Sequence, residues 1–288
     1  MKTAIATDTN SGITQEFARE MEIFLLPMPV IVDGIVYFEG DDITHQQLYD
    51  AMRNHQDIST SQPSPGQLME FWDRIFRSGY DEIVYIPMSS GLSNSCHTAI
   101  QMAQNYDGKV QVVDNHRISV TQAESVISAH RLMQNGMQAE EIKKYLEERA
   151  YDASIYITVD SMEYLKKGGR VTPAAATFAT VLNLKPVLTI QGDKLDSFSK
   201  VRGMKQAEAK MIDAILQDRR TRFSEVPDKQ LMVETAGTFE NKEKADQWRE
   251  RVQQAFPGIR ISYVDLPCSI ACHVGINAAG LGILKLEA

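Results

Sequence analysis

Along the first half of the chain, apolar residues gather in short runs, each closed by polar turn residues and followed by a helix-spaced stretch. Thr3–Thr7 is one such run, and it stops at Asp8, Thr9, Asn10, Ser11 and Gly12, all turn and cap residue types. Ile23–Val32 and Ile35–Phe38 flank Asp33-Gly34, a pair that tolerates the left-handed backbone of a type I′ hairpin. Glu82–Met88 reads as a buried strand, followed by the turn Ser89-Ser90-Gly91-Leu92-Ser93 and a helix to about Asn105. Val110–Val113 ends at Asp114 before a helix that runs through Met133. Strand, polar turn and helix in repetition predict a parallel sheet covered on both faces. Such sheets bind ligands beyond the carboxyl ends of their strands, so the turns at Asp8 and at Ser89–Ser93 become candidates before any motif is named.

The pattern changes near Ser154. Ile155–Val159 reads as a strand, and the helix after it ends in Lys166-Lys167-Gly168-Gly169-Arg170. Pro186–Gln191 and Leu195–Ser199 form a hairpin around Gly192-Asp193-Lys194. Helices over Met204–Gln217 and Asn241–Ala255 bracket a strand at Leu231–Glu234, and Ile259–Val264 and Gly282–Leu286 complete the set. Hairpins mixed with helices predict a smaller α+β domain. The chain therefore divides into residues 1–155, an α/β parallel-sheet domain, and residues 156–288.

Composition narrows the function classes. The 288 residues are 43% hydrophobic, and a formal net charge of -8 argues against a nucleic-acid surface, which needs a concentrated basic face. Three cysteines, Cys96, Cys268 and Cys272, are too few and too unevenly spaced for a disulfide framework, which points to a reducing compartment. The N-terminus meets Asp8 before any long apolar region, unlike a signal peptide. Ile23–Val32 is too short for a membrane span and contains Pro27 and Pro29. The expectation is a cytoplasmic protein with no transmembrane segment, whose dealings with a membrane are transient contacts.

Two hydroxyl-rich loops carry the candidate chemistry. Ser89–Ser93 offers three hydroxyls and a helix N-terminus, a combination that suits an anion and equally suits an ordinary helix cap. Thr60-Ser61-Gln62-Pro63-Ser64-Pro65-Gly66 places Ser64 and Pro65 as cap and first residue of a helix, which leaves Thr60 and Ser61 for other work. If the loops converge, they chelate a carboxylate with neutral donors. A serine hydrolase would need Gly-x-Ser-x-Gly, and Gly91-Leu92-Ser93-Asn94-Ser95 lacks the second glycine. Neither a Gly-x-x-x-x-Gly-Lys loop nor a Gly-x-Gly-x-x-Gly fingerprint is present. Cys268, Cys272 and His273 supply three metal ligands where structural zinc takes four, so buried inert cysteines are expected, with no metal and no cofactor. Lys166–Arg170 reads either as an anion-holding loop or as a helix C-cap with lysines matched to the dipole.

Taken together these segments resemble the DegV family of bacterial fatty-acid-binding proteins. The resemblance rests on Thr7-Asp8-Thr9, Thr60-Ser61-Gln62-Pro63-Ser64, Ser89-Ser90-Gly91-Leu92-Ser93, Val113-Asp114, Tyr164–Val171, Leu184–Leu188, Lys200-Val201-Arg202 and His273-Val274-Gly275, in the family's order over nearly the whole chain. It implies a Rossmann-like N-terminal domain, a smaller C-terminal domain and one long-chain fatty acid in a tunnel between them. It implies that Ser93 and Thr60 bind the carboxylate, that His273 supports the head group, and that Asp8, Ser61, Ser90, Gly91 and Gly275 shape the ligand loops. It further implies a non-catalytic subunit whose lipid a separate ATP-binding fatty acid kinase subunit phosphorylates, with Arg202, assisted by Arg170, facing that partner or the acyl phosphate. A kinase-independent lipid carrier or sensor, and a stand-alone serine hydrolase, are the alternatives. The chain departs from the family at Asn94-Ser95-Cys96, at Asn115, and at Ile276-Asn277 where Pro-Gly is usual.

Burying about 14 methylenes at roughly 0.8 kcal/mol each yields on the order of 11 kcal/mol before ordering costs, so the tail sets affinity and the head group sets orientation. Neutral hydroxyls suit a carboxylate that must later be released, and a histidine adds a group expected to change charge near neutral pH.

Overall fold

The computed structural model describes residues 1–177, 184–190 and 194–286, in two compact units. The first comprises Met1–His45, Gln56–Tyr151 and Pro267–Ser269, and the second comprises Gln46–His55, Asp152–Leu266 and the chain from Ile270 onward. The division is thus not a single cut, since each unit borrows a short segment from the other's stretch of chain.

The first unit contains strands β1 (Thr3–Asp8), β2 (Ile23–Leu26), β3 (Pro29–Val32), β4 (Ile35–Phe38), β5 (Ile58–Thr60), β6 (Glu82–Ile86) and β7 (Val110–Val112). Four of them form a parallel sheet in the order β2-β1-β6-β7. Helix α1 (Gln15–Glu20) leads from β1 to β2, after which the chain crosses to the other side of β1 to lay down β6. In chain order that connection includes α2 (His45–Arg53), which from Gln46 onward belongs to the second unit. Strand β1 therefore sits at a switch in strand order, the place where parallel sheets open a crevice at their carboxyl ends.

Alternation along each strand sends side chains to opposite faces. Ala4, Ala6, Ile83 and Tyr85 pack beneath α3 (Pro65–Arg77) and α4 (Ser95–Ala103), around the fully buried Trp72. Ile5, Val84 and Ile86 pack against α5 (Val120–Gln134) and α6 (Ala139–Glu148). Both faces of the sheet are covered, as the repeated strand–turn–helix pattern predicts.

One expected strand is divided. Ile23–Val32 splits at Pro27-Met28 into β2 of the parallel sheet and β3 of a separate antiparallel sheet ordered β4-β3-β5. Pro27 has no N–H to continue a ladder, and the apolar run concealed this change of sheet. The hairpin between β3 and β4 turns at Asp33 and Gly34 with φ of 48° and 82°, the two left-handed residues a type I′ turn requires.

The second unit holds strands β8 (Ala153–Thr158), β9 (Leu184–Ile190), β10 (Asp196–Arg202), β11 (Leu231–Gly237), β12 (Ser262–Asp265) and β13 (Ala279–Lys285). They form a mixed sheet ordered β10-β9-β8-β13-β11-β12, parallel only between β11 and β12. Its helices are α7 (Glu163–Gly168), α8 (Pro173–Ala176), α9 (Met204–Arg220), α10 (Lys242–Ala255) and α11 (Cys268–Val274), the last beginning among residues of the first unit. Ala207, Met211 and Ile215 of α9 and Trp248 and Val252 of α10 share a core with Val233, Leu281 and Ile283. Strands β9 and β10 pair antiparallel, while the expected turn residues Gly192 and Asp193 lie outside the described residues. Strand β12 starts later than the apolar pattern suggests, because Ile259 and Ile261 enter the core from irregular backbone. Strand β13 starts earlier, because Ala279 and Gly280 lack the β-branched signature of a strand.

Candidate functional site

Asp8 closes β1 and is fully buried. Its Oδ2 accepts from the Met88 N–H at 3.0 Å, just beyond β6, and its Oδ1 accepts from the Asn10 N–H at 3.1 Å. Asn10 Nδ2 at 3.1 Å and Gln122 Nε2 at 3.0 Å face the same Oδ1. Burial pushes the carboxyl's pKa up while these donors pull it back. With its lone pairs engaged inside the chain, Asp8 joins the carboxyl ends of β1 and β6 to helix α5. Its bond to the Met88 N–H fixes the backbone that leads into the Ser89–Ser93 turn. Gln122 is the main residue that sequence reading missed, since nothing local marks a glutamine on α5 as the partner of an acid at the end of β1.

The turn itself is fully wired. The Ser89 N–H donates to the Arg117 carbonyl at 2.8 Å, the Ser90 N–H to Asp114 Oδ1 at 3.3 Å and the Gly91 N–H to Ser89 Oγ at 3.2 Å. Asp114 of the Val113-Asp114 pair thus anchors the turn from the end of β7. Ser93 Oγ accepts from the Ser95 N–H at 3.2 Å, at the start of α4. That bond uses a lone pair and leaves the hydroxyl proton to be donated, so the helix-cap and anion-donor readings of Ser93 are compatible.

Thr60 ends β5 opposite Val30, and the Ser61 N–H donates to the Pro29 carbonyl at 3.3 Å. Ser64 caps α3 in a reciprocal box with Gln67, with bonds of 3.2 and 2.9 Å, and Pro65 opens the helix. The Thr60–Ser64 loop is tied to α4, the helix that follows the Ser89–Ser93 turn, because Thr98 donates to Gln62 Oε1 at 3.2 Å. Neither Thr60–Ser64 nor Ser89–Ser93 contains a charged residue, so the donors these loops can offer a carboxylate are neutral.

In the second unit, α7 ends as a C-cap. Gly169 is left-handed at φ 66°, with Lys166 and Lys167 in the last turn where the helix dipole favours cations. His273 packs so closely on Gly168 that a Cβ there would lie 2.3 Å from its Nδ1. Gly275, at φ 73°, is held as tightly against Tyr164, where a Cβ would approach to 2.8 Å. The Lys166–Arg170 and His273–Gly275 motifs are therefore one packed feature whose glycines let the backbones meet. Burial, and then the charge of nearby Arg170, push the His273 pKa down to about 4. This corrects the expectation of a group that changes charge near neutrality, since His273 is neutral there. Arg170 is half-buried and donates to the Gly168 carbonyl. Arg202 is exposed on β10, the edge strand of its sheet. Asn277 stands at φ 62°, so the departure from Pro-Gly keeps a left-handed backbone with the residue type best suited after glycine.

Cys96, Cys268 and Cys272 are buried free thiols, and burial pushes the Cys268 pKa up to about 12, so it does not act as a thiolate. Among the described residues there is no cluster suited to a metal, and no helix is long and apolar enough to cross a membrane.

Comparison with known proteins follows the same lines. The DegV family model, described as uncharacterised protein, DegV family, matches residues 2–286. A DegV domain-containing protein of Deinococcus radiodurans is 31% identical over 216 residues, covering 75% of this chain and 76% of its own length. A DegV family protein of Thermus thermophilus, whose structure is described for fatty acid binding, superposes with a TM-score of 0.87 at 26% identity, over 99% of this chain and 100% of that one. DegV of Bacillus subtilis, described as a fatty acid binding protein, superposes with a TM-score of 0.85 over 99% of both chains, and at 24% identity it speaks for the fold. On a match that runs almost from end to end, this chain belongs to the DegV family.

Proposed function

We propose that this protein binds one long-chain fatty acid and presents its carboxylate to a separate ATP-dependent kinase subunit. The observation that carries the lipid half is the pair of charge-free hydroxyl loops in the first unit, one beyond β6 of the parallel sheet and one beyond β5 of the antiparallel sheet, with Gln62 of the second bonded to α4, the helix that follows the first. Its support from outside is the likeness, at 26% identity, to the Thermus protein described for fatty acid binding. In this reading Ser93 and Thr60 donate to the carboxylate, and His273 supports the head group as a neutral imidazole. Asp8, Ser61, Ser90, Gly91 and Gly275 hold the loops in shape. Neutral donors orient the anion without the strong pairing that an arginine would impose on a group due to leave.

The kinase half rests on the resemblance of the Lys200-Val201-Arg202 and Lys166–Arg170 segments to the family. The carboxylate oxygen would bond to the γ-phosphorus of ATP while ADP leaves, a step for which the partner supplies nucleotide and metal. Arg202, with Arg170 assisting, would meet that partner or the charge that develops on the transferring group.

Denaturing extraction followed by mass spectrometry tests the lipid half. About one fatty acid per chain is expected, of roughly C14–C18, because a long tail is needed for useful affinity. Recovery of no lipid, together with failure to bind added palmitate or oleate, would sink it.

A further inference from the structure

Glu39, just after β4, is buried at 6% exposure, and neutral groups bond its carboxyl. Its Oε2 lies 2.8 Å from Thr9 Oγ1 and 2.7 Å from Ser269 Oγ, and its Oε1 accepts from the Ser269 N–H at 3.1 Å. Ser269 Oγ also lies 2.8 Å from Asn10 Oδ1. A hydroxyl has one proton, yet Ser269 faces two acceptor-type oxygens at hydrogen-bond distance.

The neighbouring donors decide where that proton goes. Gln122 Nε2 lies 3.1 Å from the Ile86 carbonyl, which only accepts, so its amide orientation is set and it donates to Asp8. The Asn10 backbone N–H donates to the same oxygen. Asp8 is thus an acceptor on all sides, and Asn10 must turn its Nδ2 towards it and its Oδ1 towards Ser269. Ser269 therefore donates to Asn10. Its lone pair is left facing Glu39 Oε2 at 2.7 Å, a distance at which two oxygens sit comfortably only with a proton between them.

We infer that Glu39 is a neutral carboxylic acid at neutral pH, the head of a one-way chain running from Glu39 to Ser269, Asn10 and Asp8. In this chain Asp8 carries the negative charge and Glu39 the proton, two buried acids driven to opposite states by the donors around them. Thr9 completes the arrangement: with the Glu39 proton turned to Ser269, the Thr9 hydroxyl donates to Oε2 while it accepts from the Met28 N–H at 3.0 Å. The chain joins the loop after β1 to the first turn of α11, and it stands whatever ligand the protein binds.

Burial raises the Glu39 pKa, and the donors that face it, the Thr9 hydroxyl and the Ser269 N–H, lower it, with a smaller lowering from His45. The other titratable neighbours are Cys268, a neutral thiol, and Asp8, reached through Asn10. The folded pKa lies above the unfolded one, so between the two the native state holds a proton that the unfolded state has lost. Stability from this group therefore falls as pH rises through that window.

The experiment compares wild type with E39Q and D8N. Glutamine can still donate to Ser269 but no longer accepts from Thr9, a cost that does not vary with pH. The melting temperature of wild type minus that of E39Q should decline from pH 5 to pH 8. Infrared spectra of protein labelled with 13C-glutamate should show a protonated carboxyl band at pH 7 that shifts in S269A, a reading on wild type that survives even if E39Q fails to fold. Parallel melting curves, no protonated glutamate band that responds to S269A, or a slope removed by D8N and kept by E39Q would each overturn the assignment, the last by placing the proton on Asp8.

Discussion

In the proposed reading the Ser93 hydroxyl serves structure and ligand together. Its lone pair takes the Ser95 N–H, which satisfies a donor at the start of α4 and leaves the O–H proton to be donated. Truncation to alanine should cost a charge-assisted hydrogen bond to a carboxylate, roughly 1.5–3 kcal/mol, or about tenfold to a hundredfold in fatty-acid affinity. Thr60→Ala should cost a similar amount. The double variant should lose less than the product of the two, because both groups serve one anion. Titration with a fluorescent fatty acid measures this, and unchanged affinity in the double variant would place the carboxylate elsewhere. Ser64 in the neighbouring loop has a different duty, since its oxygen and its backbone N–H are both spent on the Gln67 capping box. Sequence separates the two serines because Pro65 marks Ser64 as a cap, whereas the duty of Ser93 depends on which way its hydroxyl is turned.

Among the elements, α11 draws together observations that the chain order keeps apart. Its first turn is tied to Glu39 and Asn10, and its last turn carries His273 against Gly168 at the end of α7. Burial and the Arg170 charge hold the His273 pKa at about 4, below the ordinary histidine value of 6.5. The unfolded state therefore gains a proton between those values while the native state does not. Stability should fall as pH drops from about 6.5 towards 4, opposite in sign to the effect of Glu39. The melting temperature of wild type minus that of H273N should shrink over this range, and a difference that stays constant with pH would show that His273 is as accessible to protons as in the unfolded chain. The tight approach at Gly168 also explains why the basic loop and the His-Val-Gly motif occur together. They are two sides of one contact, which reading each as a separate anion loop or metal ligand would miss.

For the molecule as a whole, one unit is built on a doubly covered parallel sheet with a small antiparallel sheet beside it in the chain, the other on a mixed sheet with α9 and α10 packed upon it. If the proposed division of labour holds, the chain alone should neither hydrolyse ATP nor form acyl phosphate, and phosphorylation of bound lipid should appear when a cognate kinase subunit, magnesium and ATP are added. Arg202→Ala should then retain its lipid and lose most of the phosphorylation. An exposed arginine on an edge strand bears on docking or on transition-state charge, not on burial of the tail. Unaided phosphorylation by the wild-type chain would make it an enzyme in its own right. Full activity in Arg202→Ala would move the partner contact to another surface, with Arg170 the next to vary.

The alternating strand and helix periods, the Asp33-Gly34 turn and the Ser64-Pro65 helix start were all legible in the sequence, because each is set by interactions among residues close along the chain. The two hydroxyl loops and the His-Val-Gly motif were legible too, as residue types in a family's order. Tertiary structure alone decided that Ile23–Val32 serves two sheets, that Gln122 completes the setting of Asp8, and that Thr98 of α4 ties that helix to the Thr60–Ser64 loop. It also decided the charge states. A histidine is ordinary until burial and an arginine press on it, and Glu39 is one acid among many until Ser269, 230 residues away, supplies a lone pair that needs a proton. Periodicity records which side chains leave water. Protonation depends on which donors then surround them, and those come from distant parts of the chain.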